Sequence, residues 1–169
     1  MEKINRKHDW EKMEMENNVG MKTKEKLEEE KQMLFESLRA LVSEITSGTR
    51  IEVEEIDSGF ELLVPLPCDR QQKVYITLER RDADGENIFQ VFTVCAEADP
   101  KLFEFALKMN NDIDYGAIAI KELYGKDYLV ILDTQLVRTT QPVEIEKSLL
   151  TLAEVGDDLE RIITGKDIR

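Results

Sequence analysis

A chain of 169 residues, 41% hydrophobic and 35% charged, holds enough apolar material for one core, and its formal net charge of −13 makes the surface acidic. That charge opposes nucleic acid and anionic lipid, both of which need a basic face, so any macromolecular partner is expected to be basic or amphipathic. No run approaches the roughly 20 apolar residues of a membrane span, and no apolar signal core opens the chain, so the expected location is the cytoplasm.

Residues 1–22 are charged, Met-rich and aperiodic, and read as a disordered or tag-like leader before a single domain over 23–169. From Thr23 a helix stripe appears, with Leu27, Leu34, Leu38, Leu41 and Ile45 at helical spacing and Gly48 just past its end. The period then changes to two. Ile51 and Val53 alternate with Glu52 and Glu54, and after a turn Phe60, Leu62, Val64 and Leu66 share one side of "FELLVPL". Pro65 and Pro67 lack an N–H, which predicts that the strand lies at an edge or ends there. "KVYITLER" and "NIFQVFTVCA", joined by "DADGE", complete a four-strand meander.

Asp99 and Pro100 open a short helix whose buried face is Leu102, Phe103, Ala106, Leu107 and Met109. A hairpin follows, expected to turn at Gly125-Lys126 and to pair Ile120 with Ile131 and Ala119 with Leu132. Both of its faces would be apolar, which hints at a subunit interface. Pro142 starts the last helix, with Ile145, Leu149, Leu152, Leu159 and Ile162 or Ile163 as its stripe. Gly156 inside it costs about 1 kcal/mol against alanine, which implies a close backbone contact. The order α-βββ(β)-α-ββ-α is an α+β fold, an antiparallel sheet with flanking helices.

Residues that could carry chemistry are few. The single histidine, His8, falls in the leader, so nucleophile–His–acid catalysis has no base. Cys68 and Cys95 lack metal-ligand spacing and read as reduced thiols. "DADGE", Asp82–Glu86, lacks the distal glutamate of a calcium loop and reads as a turn. Arg80 and Arg81 at a strand end read as solubilising charges. Asn110, Asn111, Asp112 and Asp114 stand where a helix must stop, and asparagine tolerates the left-handed C-cap. The competing reading is a divalent-metal hydrolase using Asp112 and Asp114, which would need oxygen ligands from elsewhere. No catalytic residue, cofactor or metal site is predicted, and the chain is expected not to be an enzyme.

The assembled elements, with "LKMNNDI" closing the middle helix, "YGAIAIKELYGKDYLVILDT" as hairpin and "IEKSLLTLAEVGDDLERI" as last helix, resemble the type III secretion chaperone-like superfamily, nearest its YbjN-like branch. The resemblance covers roughly residues 23–164 as an architecture, departing in the leader and in one extra strand before the middle helix. It implies a non-enzymatic homodimer that binds an extended client segment along apolar surface, or, as the alternative, a YbjN-type regulatory or stress-response factor with a folded partner. Under it, Phe60, Leu62 and Leu63 become the candidate peptide anchors, and Tyr128, Val130 and Leu132 the candidate dimer interface. Ordinary core packing is the competing reading at each of the six.

Overall fold

The computed structural model describes residues 26 and 28–165. The expected leader, together with Thr23 and Leu27 of the first stripe, lies outside the described residues. The chain divides into two compact units, Met1–Ser37 and Leu38–Arg169. Residues 28–46 are helical (α1). In the first unit, α1 carries local polar pairs such as Gln32 Nε2 donating to Glu36 Oε1 at 2.9 Å. In the second, Leu38, Val42 and Ile45 are buried at helical spacing.

The second unit is built on a six-stranded antiparallel sheet with strand order β1-β2-β3-β4-β6-β5. Its strands are β1 (Glu52–Ile56), β2 (Gly59–Leu66), β3 (Arg70–Arg81), β4 (Asn87–Glu97), β5 (Ala117–Leu123) and β6 (Lys126–Leu136). A short 3₁₀ turn, Pro100–Leu102, and helix α2 (Phe103–Met109) connect β4 to β5, and α3 (Pro142–Thr164) ends the described chain. The fold class is α+β, as the change of period from 3.6 to 2 and back predicts.

Side chains of alternate residues place α3 on one face. Gln72 of β3 and Thr93 of β4 reach Glu160 of α3 through a chain of hydrogen bonds, Gln72 Nε2 to Thr93 Oγ1 at 2.7 Å and to Glu160 Oε1 at 2.8 Å. Phe89, Val91, Val74, Ile76 and Ile131 are buried on this side with Ile145, Leu149, Leu152 and Leu159 of α3. Each such side chain contributes about 1.5–3 kcal/mol by leaving water. A Cβ on Gly156 would lie 2.7 Å from Thr93 Cγ2, so the helix glycine does meet a close neighbour. A capping box of Gln141 and Glu144 starts α3, and Gly165 in the left-handed region stops it.

The other face of the sheet is aromatic and cationic. Tyr75 stacks on Phe92 with centroids 5.0 Å apart, and Lys121 Nζ sits 4.6 Å above the Phe92 ring while donating to Gln90 Oε1 at 2.7 Å.

Two expectations are corrected here. β2 is not an edge strand, because it pairs with β1 on one side and β3 on the other; the prolines mark its end at Leu66 instead. Pro65 is tolerated because β1 pairs only as far as Leu63, so the missing donor falls where β2 has outrun its neighbour. The second hairpin turns at Tyr124-Gly125, not Gly125-Lys126. Both turn residues have positive φ, 54° and 77°, the two-residue geometry that matches strand twist. Ile120 therefore pairs with Leu129 and Ala119 with Val130, two residues along β6 from the expected partners. A shift of two keeps every side chain on its expected face.

Candidate functional site

The polar cluster after α2 is a joint, but it works through a side chain rather than a cap. Asp99 Oδ1 accepts from the Lys101 N–H at 3.0 Å, but what it caps is the 3₁₀ turn Pro100–Leu102; α2 follows only from Phe103, without a side-chain cap. At the other end Asn110 has φ −59°, right-handed, and the expected left-handed C-cap does not form. Instead the chain continues through a 3₁₀ turn, Asn110–Asp112, and the Asn110 amide reaches across to β5. Its Oδ1 accepts from the Ile118 N–H at 2.6 Å, and its Nδ2 donates to the Ile118 carbonyl at 3.3 Å. One side-chain amide thereby takes the place of a neighbouring strand at that residue. Asn111 Nδ2 donates to the Lys108 carbonyl at 3.2 Å, and Asp112 and Asp114 are exposed.

The direction of the Ile118 bonds has a consequence for the whole strand. Ile118 turns its N–H and C=O toward Asn110, away from β6. Backbone direction alternates along a strand, so Ile120 and Glu122 also face outward, while Ala119 and Lys121 bond to β6. Among the described residues no strand lies beyond β5. The Ile120 side chain is 48% exposed. Leu107, one helical turn before Asn110 on the same side of α2, is 67% exposed. Met109, Ile113, Val155 and Ile162 line a groove of about 430 Å³ together with Asp112, Asp158 and Arg161.

The residues expected to anchor a peptide lie elsewhere. Phe60 and Leu62 are 3% and 0% exposed, because the even-numbered side of β2 faces the core and β1 covers its flank. They are core residues, not exposed anchors. Leu63, on the opposite side of β2, is half-buried and borders a second cleft of about 340 Å³ with Arg70, Lys73 and Tyr75. Tyr128, Val130 and Leu132 share the aromatic face. Val130 is 0% exposed and has no surface left to offer, whereas Tyr128 and Leu132 are half-buried.

No family model matches the sequence, and no curated protein matches it. Among solved structures, the chain is similar to the Yersinia pestis type III secretion chaperone SycH, determined in complex with a fragment of YscM2. The two are 13% identical, with 75% of this chain and 98% of that chain covered and a TM-score of 0.45.

Titratable groups near the core behave as structural residues. Burial pushes the Cys95 thiol up to about 12, which leaves it protonated and poorly nucleophilic. Burial also raises the Glu160 carboxyl, partly opposed by the hydrogen bond from Gln72. Among the described residues no group of three or more His, Cys, Asp or Glu side chains could hold a metal ion. No helix among them is long and apolar enough to cross a membrane.

The bond from Asn110 to β5 was not readable from spacing. It joins a helix end to a strand eight residues on, and no periodicity reports it. A weaker signal did exist: "AIAIKEL" carries two charges where "EVEEI" carries three of one sign.

Proposed function

We propose that this chain is a non-enzymatic module that binds an extended segment of another protein, functioning in the cytoplasm as a homodimer of the type III secretion chaperone-like or YbjN-like kind. The observation that carries the reading is the β5 edge. It presents outward-facing backbone groups at Ile120 and Glu122 together with the exposed apolar side chain of Ile120. Strand addition uses such an edge, with main-chain hydrogen bonds supplying affinity and alternate side chains supplying specificity. The half-buried Tyr128 and Leu132 on the aromatic face support a subunit contact there that leaves β5 free.

Screening a displayed library of short extended segments tests binding. The reading expects enrichment of segments with alternating apolar residues, and no enrichment over a helical or globular control set removes it. Light scattering tests the dimer. A mass of two chains that falls to one on Leu132→Arg supports it, and a monomer at all concentrations contradicts it.

A further inference from the structure

Resting on the reading that the chain binds an extended segment, we infer that Asn110 sets the register of that segment, confining strand addition to Ile120 and Glu122 and selecting a non-self strand that offers an apolar residue to Ile120 and a basic residue to Glu122. The Asn110 amide already occupies both backbone groups of Ile118. An incoming strand therefore stops short of Ile118, and its ladder holds two outward residues, Ile120 and Glu122. The segment is short, about three residues within the ladder.

The same limit argues against a second copy of β5 as occupant. A symmetric antiparallel pair can be centred on three residues. Centring on Ile120 sets Glu122 of each copy opposite Ile118 of the other, which Asn110 occupies, and so leaves a single residue pair. Centring on Lys121 sets two lysines directly opposite, and centring on Glu122 sets two glutamates opposite; both arrangements are repulsive. A non-self strand avoids all three. Its residue opposite Ile120 meets that exposed apolar side chain. Its residue opposite Glu122 meets a carboxylate on a chain of net charge −13, which favours lysine or arginine. Its residue opposite Lys121 falls on the other face of the sheet, where a basic side chain is disfavoured.

The probe is the peptide acetyl-Ser-Val-Thr-Lys-Thr-Val-Ser-amide, which presents the required order in either strand direction. Two controls accompany it: glutamate in place of its lysine, and N-methyl groups on alternate backbone nitrogens. Amide hydrogen exchange of the intact chain is followed residue by residue. The inference expects the peptide to slow exchange at Ile120 and Glu122 by about tenfold or more at saturation, with Ile118 unchanged. The glutamate peptide should bind at least about tenfold more weakly, and the N-methylated one should give no protection. In Asn110→Ala the protected stretch should extend to Ile118. Peptide binding with protection elsewhere, or equal binding of the glutamate peptide, overturns the inference and leaves strand-binding function standing. Concentration-dependent protection of Ile120 and Glu122 without peptide overturns it in favour of a second copy. Failure of every extended segment to bind the chain removes the functional reading as well.

Discussion

The sheet has two edges, and they are built oppositely. β1 presents Glu52, Glu54 and Glu55 within five residues, with both Glu55 carboxylate oxygens accepting from Arg39 Nη2 of α1, at 2.9 and 2.8 Å. Charge on an edge strand discourages pairing with another chain. β5 carries Ala117, Ile118, Ala119 and Ile120 before its first charge, and among the described residues only one of its outward residues is closed, by Asn110. One edge is protected along its length by like charges. The other is protected at a single point by an amide that imitates a strand. Among the described residues, the difference leaves β5 as the edge with unpaired outward backbone groups.

The sharpest way to break this comparison is to exchange the roles of core and edge residues. Leu62→Ala removes a fully buried side chain and should cost about 2–5 kcal/mol in urea unfolding, while Ile120→Ala should change stability by less than about 1 kcal/mol. A small effect at Leu62 would restore β2 as a surface strand. Next in size is Asn110→Ala. It leaves the N–H and C=O of buried Ile118 without their partner and should cost about 1–3 kcal/mol while making self-association more pronounced. Loss of stability with no change in association would mean that the amide only ties a loop down.

Gly156→Ala tests the packing beneath both edges. Alanine gains about 1 kcal/mol of helix propensity, yet its Cβ would press on Thr93. A net loss of about 1 kcal/mol or more is expected from the overpacking, and a gain in melting temperature would show that α3 can slide away.

Much of this was legible in the sequence, for local reasons. Alternation in "KVYITLER" and the stripe of Ile145, Leu149 and Leu152 report which side of an element is buried, and Pro100 and Pro142 mark helix starts. Pro65 likewise marks a local edge, since β1 no longer pairs beyond Leu63. Strand order is not local. The placement of β6 between β4 and β5 turns the hairpin's first strand into the outer edge, and no period encodes it. The turn was misplaced by one residue because a non-glycine, Tyr124, adopts positive φ at 54°. Phe60 and Leu62 were expected to be exposed because the proline signal was extended from a strand's end to the whole strand, whereas β1 covers that strand's flank.

The smallest expected effect concerns Glu160, whose carboxyl is raised above its ordinary value of 4.5 by burial. Since the folded state holds this proton more tightly than the unfolded chain, its contribution is full below about pH 4.5 and is lost as pH rises through the folded value. Glu160→Gln should therefore raise stability slightly at pH 7 and flatten the profile above pH 4.5, as read from urea midpoints. An unchanged profile would place the carboxyl in fuller contact with water.

The central claim, that β5 is the open edge, is tested most directly by native amide exchange in the free protein. The account predicts an alternating pattern along β5, with Ala119 and Lys121 slow, Ile120 and Glu122 fast, and Ile118 slowed by Asn110. Exchange at Ile120 and Glu122 as slow as at Ala119 would show that the edge is already covered and would contradict the account.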